Sequence, residues 1–162
     1  MSTRIKKITT LSILITIGMI LGYIENLINI VPVSGVKIGL SNVVLLYCIY
    51  KFTFAESLLV VVLKGVLNGI LFSGLMSIIY SLSAGFVTTA VMMLLYKKTE
   101  KISIYGISMC GSCVFNIVQF FVASVLLENF LIMVNLWYVL PISLVTGFIL
   151  GEVFRIIFLK DS

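Results

Sequence analysis

A small group of polar side chains stands out in a chain that is otherwise almost all hydrocarbon. Glu25 lies near the end of the first apolar run. A turn-forming stretch, residues 32–42, follows it, and Lys37 within this stretch opens the second apolar run. Later apolar runs add one more lysine and several amides. The full set is Glu25, Lys37, Asn42, Lys64, Asn68, Asn116 and Gln119. A carboxylate, two ammonium groups and four amides suit a polar or anionic small molecule, so we predict that they bind a substrate.

These charges also allow a purely structural interpretation. An ionisable residue inside a membrane span costs about 2.5–3.5 kcal/mol on insertion scales, so it requires a partner or a function. Glu25 can pair with Lys37, pair with Lys64, or bind the ligand, and these three alternatives stay open. Lys64 can also reach the membrane surface or donate to backbone carbonyls at a helix break. The stretch 32–42 can equally be an ordinary solvated loop.

Other kinds of chemistry are disfavoured by what the sequence lacks. The chain has no histidine, which is the commonest metal ligand and proton shuttle. It has no phosphate-binding loop for ATP hydrolysis, and its single aspartate, Asp161, cannot form an aspartate-rich magnesium–diphosphate site. Cys110 and Cys113 have the spacing of a redox pair, but in an apolar helix this spacing favours helix packing. We therefore predict a protein that is not an enzyme and holds no metal or cofactor.

The composition places these residues in a membrane. Of the 162 residues 61% are hydrophobic and only 10% are charged, whereas soluble domains average about 25% charged residues. The apolar runs predict one all-α transmembrane domain, residues 1–162, with six membrane-spanning helices. Their predicted bounds are 8–30, 37–52, 55–72, 75–96, 102–127 and 131–159. The net charge of +5 does not indicate a nucleic-acid partner, because the basic residues flank apolar runs.

The distribution of basic residues predicts the orientation. Six spans put both termini on one side of the bilayer, and nine of the eleven lysines and arginines fall on that side. These nine are Arg4, Lys6, Lys7, Lys51, Lys97, Lys98, Lys101, Arg155 and Lys160. By the positive-inside rule we predict a multi-pass protein of the cell membrane with both termini in the cytoplasm.

The first helix carries small residues at helical spacing. Ser12 with Thr16, and Gly18 with Gly22, are pairs four residues apart. Small residues let two membrane helices approach closely. We predict that these four residues dock on a partner protein.

Five stretches of the chain resemble a known family. They are residues 23–26, 35–44, 81–85, 116–119 and 141–151. With these motifs the chain resembles the Gx transporter family, often labelled heptaprenyl diphosphate synthase component I. That family is similar to the substrate-binding membrane subunits (S components) of energy-coupling factor transporters. Two positions depart from the pattern: Lys64 replaces an arginine, which loses the bidentate fork, and Phe115 replaces a histidine.

The resemblance implies six helices, an outward-facing pocket under the first loop, a separate transmembrane coupling subunit and two ATPase subunits. It makes the chain a substrate-binding subunit of an importer for a small polar or anionic-headed molecule, such as an isoprenoid or quinone precursor or a vitamin. The alternative is a non-catalytic membrane partner of a polyprenyl diphosphate synthase or a quinone-pathway enzyme. A third hypothesis is an ion-coupled transporter that works alone. Many such transporters contain an internal repeat, and the sequence does not show one.

Overall fold

The computed structural model describes residues 3–28, 37–98 and 102–158, and all their regular secondary structure is helical. Asn29, residues 32–36 and residues 99–101 therefore lie outside the described chain, as do Lys160 and Asp161. The α-helices are α1 (Thr3–Ile28), α2 (Asn42–Lys51), α3 (Phe54–Asn68), α4 (Leu75–Lys98), α5 (Ile104–Leu126) and α6 (Leu136–Phe158). A π-helical turn, Gly69–Ser73, extends α3, and a 3-10 turn, Phe130–Asn135, precedes α6.

Five of the helices are long and apolar enough to cross a membrane, and α2 is not. The ten residues of α2 extend over only about 15 Å, half the thickness of the hydrocarbon core. The predicted second span, 37–52, is thus wrong at its beginning. Residues 37–41 are not helical, and the helix starts at Asn42.

The short helix α2 lies at the centre of the bundle. It contacts each of the other five α-helices, and Leu45, Leu46, Cys48 and Ile49 on it are almost completely buried. The longest packing seams join α5 to its neighbours α4 and α6, while α1 packs chiefly against α3. Among the described residues no Cα atom of α1 lies within 8 Å of one in α6, and the Val43 and Tyr47 side of α2 is only half-buried between them.

Local sequence explains where several helices begin and end. Thr53 and Glu56 form a capping box at the start of α3, in which Glu56 accepts a hydrogen bond from the Thr53 backbone N–H at 3.0 Å. The π-turn closes through a bond from Gly74 N to Gly69 O at 2.8 Å, and Gly74 has φ +81°, which favours glycine. Pro141 lies inside α6, which is helical on both sides of it.

Most of the charged residues collect at one end of the bundle. Lys7 near the start of α1 forms an ion pair with Glu56 at the start of α3, and the ring of Tyr50 at the end of α2 contacts Tyr96 at the end of α4. We call this the basic end. Its described basic residues are Arg4, Lys6, Lys7, Lys51, Lys97, Lys98 and Arg155. The segregation predicted from the sequence is therefore present in the fold, and the orientation relative to the cytoplasm stays a prediction.

Candidate functional site

The centre of the site is a stretch of non-helical backbone, Lys37–Ser41, which leads into α2. Lys37, Gly39 and Ser41 are buried, and Gly39 has φ +97°, a conformation that disfavours any side chain. Backbone N–H and C=O groups in such a stretch have no helical partners. Inside a membrane, irregular backbone is tolerated only where protein or a polar cavity surrounds it. Here the polar side chains of three other helices supply the partners.

Glu25 of α1 binds the middle of this stretch. Its Oε1 atom accepts hydrogen bonds from the backbone N–H groups of Gly39 and Leu40, the second at 2.6 Å. The side chain is only 7% exposed, so these amide donors offset part of the cost of burying a carboxylate. The reason why α2 does not begin at residue 37 is the backbone of Gly39, whose φ of +97° lies outside the right-handed helical region.

Two residues one turn apart on α5 bind the start of the stretch. Gln119 Oε1 accepts a hydrogen bond from the backbone N–H of Lys37 at 3.0 Å. Asn116 Nδ2 donates to the carbonyl oxygen of Ile38 at 2.9 Å, and also lies 2.9 Å from the hydroxyl of Ser143 on α6. Both amide side chains are fully buried. The predicted pair on helix 5 therefore reaches the predicted segment, and it does so through main-chain atoms.

Lys64 of α3 binds the end of the stretch. Its Nζ atom donates to the Ser41 carbonyl oxygen and to the Ser41 hydroxyl, each at 3.0 Å. No Glu25 oxygen lies within 4.0 Å of the amine of either Lys37 or Lys64 in the described chain. Glu25 therefore forms no direct salt bridge with either lysine in the described chain, although the three charges lie near enough to interact, and Lys64 donates to one backbone carbonyl, as one of the predicted alternatives has it.

Asn68 lies one turn further along α3 and contacts α1. Its Nδ2 atom is 3.4 Å from the Gly18 carbonyl oxygen, and a Cβ atom on Gly22 would overlap its amide group. A Cβ on Gly18 would come within 3.1 Å of the Lys64 side chain. The two glycines thus let α1 approach the polar residues of α3.

This placement divides the predicted docking residues between two faces of α1. Gly18 and Gly22 are buried against α3, which corrects the expectation that they belong to a surface for a partner. Ser12 and Thr16 are exposed, and each hydroxyl donates to a carbonyl one turn earlier in its own helix. A docking role remains a prediction for Ser12 and Thr16.

A small cavity of about 20 Å³ lies beside the stretch, large enough for one or two water molecules. Its polar lining comes from the two lysines and three neighbouring side chains. The complete lining is Lys37, Ser41, Val61, Lys64, Gly65, Asn68, Ser81 and Phe115. Two ammonium-bearing residues thus face one cavity, and no carboxylate lines it.

Several buried polar atoms around the stretch have no hydrogen-bond partner among the described residues. They are Glu25 Oε2, both side-chain atoms of Asn42, Asn68 Oδ1, Ser112 Oγ, Asn116 Oδ1 and Gln119 Nε2. A buried polar atom without a partner costs about 1–3 kcal/mol, so this concentration indicates a site for water or for a polar ligand.

The structure also brings in residues that were absent from the predicted site. Ser41 bonds Lys64, Ser143 bonds Asn116, and Ser81 lines the cavity. Serines are common in apolar helices, where they bond their own backbone, so their type alone gave no signal. The position of Ser41 directly before Asn42 was a signal, because serine frequently precedes a helix.

A second cavity is apolar and opens on the outer face of α2 between α1 and α6. Its volume is about 380 Å³, within the range of about 300–1,000 Å³ typical of small-molecule sites. We call it the apolar groove. Its lining is Leu14, Ile17, Leu21, Leu40, Val43, Val44, Tyr47, Leu150, Val153 and Ile157.

Comparison with known proteins identifies the family. Residues 14–157 match the model of a family described as heptaprenyl diphosphate synthase component I. The chain belongs to this family. The match spans every part of the site, from Glu25 on α1 to Ser143 on α6. No curated protein and no solved structure matches the chain. The family description names a component of a synthase, and it does not mention transport.

The described site offers no set of metal ligands. No group of three or more histidine, cysteine or acidic side chains comes together in the parts of the chain that the structure describes. Cys48, Cys110 and Cys113 are all free thiols, and Gly111 between the last two packs against Met92 of α4. The contacts of this glycine agree with helix packing as the use of the Cys110–Cys113 stretch.

Proposed function

We propose that this chain is the solute-binding membrane subunit of an importer of the energy-coupling-factor type, and that its solute carries a small anionic or strongly polar group. The observation that carries this proposal is the cavity shared by Lys37 and Lys64. Glu25 directs one carboxylate oxygen to backbone amides and makes no salt bridge with either lysine within 4.0 Å in the described chain. The buried centre then has two cationic side chains and one anionic one, and an anion would balance it.

The geometry supports a mode of binding. In many transporters a broken helix directs its N-terminal amides, the positive end of its dipole, at an anionic group of the solute. Here the first N–H groups of α2 already donate to carbonyl oxygens of residues 39–41, so the group that remains for a solute is the side chain of Asn42, whose two polar atoms lack described partners. The cavity takes only one or two water molecules, so we propose that the Lys37–Ser41 stretch moves when a solute enters. Candidate solutes are isoprenoid or quinone precursors and vitamins.

This function requires partners. The chain has no phosphate-binding loop, so energy would come from a separate transmembrane coupling subunit and two ATPase subunits. Ser12 and Thr16 offer small exposed side chains on α1 for such a contact.

A second candidate function is favoured by the apolar groove. A non-catalytic membrane partner of a polyprenyl diphosphate synthase, or of a quinone-pathway enzyme, would need to hold an apolar chain. The groove is lined entirely by apolar side chains and Tyr47, and it is open between α1 and α6. The family description, heptaprenyl diphosphate synthase component I, agrees with this candidate.

Purification from a mild-detergent extract distinguishes the two functions. The tagged chain would be expressed in its own host, and the proteins that it retains would be identified by mass spectrometry. A transmembrane subunit with two ATPases is expected for the importer. Retention of a soluble prenyltransferase without ATPases would instead select the second candidate, and retention of neither would contradict both.

A further inference from the structure

A third cavity lies at the basic end of the bundle, at the opposite end of α2 from the Lys37–Ser41 stretch. Its volume is about 430 Å³, and it opens between the ends of α1, α2, α3 and α4. We call it the basic-end cleft. Its lining is Lys7, Ile49, Tyr50, Lys51, Phe52, Thr53, Phe54, Glu56, Met93, Tyr96 and Lys97.

Lysines from three different helices meet in this cleft, and its acidic lining is already engaged. Within the described chain Glu56 is the one carboxylate that lines it. One oxygen of Glu56 pairs with Lys7, and the other accepts the backbone N–H of Thr53 at 3.0 Å. The charges of Lys51 and Lys97, both exposed, are therefore not balanced by a carboxylate of the lining.

The remaining walls of the cleft are partly aromatic. The rings of Tyr50 and Tyr96 pack with centroids 4.6 Å apart, and Lys7 lies 6.0 Å over the ring of Phe52. The first turn of α3 also lies here, but its capping box and the Glu56 carboxylate already occupy that helix end, so the lysines are the groups left for an anion. Lysines at this end of the bundle would by themselves indicate only the orientation of the chain in the membrane. A cleft of about 430 Å³ between them is in addition large enough to bind a small ligand.

We propose that the basic-end cleft binds a phosphate group. Lys51 and Lys97 contact the phosphate oxygens, Lys7 stays paired with Glu56, and the rings of Tyr50 and Tyr96 contact the group to which the phosphate is attached. Basic pockets between membrane helices are the usual sites for phosphate head groups of lipids, and a soluble phosphate or diphosphate presents the same chemistry. This inference requires neither of the functions proposed above.

Two binding arms separate these sources, and both use the full chain. In detergent, inorganic pyrophosphate is titrated and the midpoint of thermal unfolding is followed. In nanodiscs of mixed phosphatidylglycerol and phosphatidylcholine, the lipid retained by the protein is determined by native mass spectrometry. Stabilisation by pyrophosphate indicates a free phosphate, and selective retention of phosphatidylglycerol alone indicates a lipid head group. Either result supports the binding of a phosphate group in the basic-end cleft. If neither is observed, the proposal is wrong.

Matched variants test whether the cleft, and not the general positive charge, is responsible. The variant Lys51→Gln with Lys97→Gln removes two charges from the cleft. The variant Lys6→Gln with Lys98→Gln removes two exposed charges at the same end that do not line it. We expect the first pair to weaken binding about 25-fold, at about fivefold for each lysine, and the second pair to change it less than about twofold. Equal losses of binding affinity in the two variants would overturn the proposal, because the general positive charge of the basic end, and not the cleft, would then explain the binding.

Discussion

The cavity beside Lys64 and the apolar groove both border the stretch from Lys37 to Tyr47, yet their linings share no residue. The first is polar, enclosed by α3 and α5, and holds one or two water molecules. The second is apolar, open between α1 and α6, and large enough for a small molecule. Lys37 and Ser41 face the first, while Leu40 and Val43 face the second. One short segment therefore presents two different sites, and each favours a different function for the chain.

The polar side chains around the first cavity hold the Lys37–Ser41 stretch in place without any ligand. Glu25, Lys64, Asn116 and Gln119 all bond atoms of the Lys37–Ser41 stretch, mostly of its backbone. The side chains that line the groove, apart from Tyr47, are hydrocarbons without hydrogen-bonding groups, so they do not hold the stretch in this way. Changes in the polar cavity should therefore affect stability as well as binding, whereas changes in the groove should affect binding alone.

The largest expected effect is that of Glu25→Ala. The change removes the acceptor of two backbone N–H groups, and each hydrogen bond to a charged group is worth about 1.5–3 kcal/mol. We expect the free energy of unfolding in detergent micelles to fall by about 3 kcal/mol or more. Glu25→Gln, which keeps one acceptor oxygen, should lose less than half as much. If Glu25→Ala unfolds like the parent chain, the carboxylate does not hold the stretch.

The next effect is that of Lys64→Met, which keeps the length of the side chain and removes its charge. The loss of two bonds to Ser41 should lower the free energy of unfolding by about 2 kcal/mol. A double-mutant cycle with Ser41→Ala should give a coupling of about 1 kcal/mol or more, since the residues touch. Rescue of Lys64→Met by Glu25→Gln would instead show that the two charges balance each other.

A smaller effect on stability is expected when the apolar groove is filled. Ile17→Trp adds bulk where the space exists, so the free energy of unfolding should change by about 1 kcal/mol or less. Ile13→Trp, one turn away on α1 and outside the lining, is the control. If the chain is a synthase partner, Ile17→Trp alone should reduce retention of a prenyl chain or of the enzyme. Equal behaviour of the two variants would remove the groove from the account.

The smallest effect on stability is expected at the exposed face of α1. Thr16→Leu should change the free energy of unfolding by no more than about 0.5 kcal/mol, because the side chain is exposed and its hydroxyl bonds a carbonyl of its own helix. It should nevertheless reduce co-purification of a partner that docks there. Gly22→Leu should destabilise the fold itself, since it would overlap Asn68. Normal partner retention by Thr16→Leu would place the docking surface elsewhere.

The sequence predicted which polar residues meet, and it did not predict what they bind. Glu25, Lys64 and Gln119 stood out because charged and amide groups are costly in apolar runs. Their partners are backbone atoms of residues 37–41. Every residue has these atoms, so the residue types of the stretch do not identify them as partners. The beginning of α2 was missed because Ile38 and Leu40 continue the apolar pattern, whereas Gly39 between them adopts φ +97°, outside the helical region.

The small residues of α1 show a second limit of sequence pattern. Spacing identified Gly18 and Gly22 as positions of close approach, and that is what they are. Spacing could not decide whether the approaching helix belongs to this chain or to another. The apolar groove left no pattern at all, because it results from two helices, α1 and α6, that fail to meet.

The central claim, an anionic solute held by Lys37 and Lys64, is tested most directly by the small molecules that the protein retains. The parent chain, Lys37→Met, Lys64→Met and the control Lys98→Met, an exposed lysine that lines neither cavity, would be purified in parallel, and released compounds would be identified by mass spectrometry. We expect an anionic compound in the parent and in Lys98→Met, and at least tenfold less of it in the two central variants. Equal retention of that compound by all four proteins, or no anionic compound in the parent, would contradict the claim.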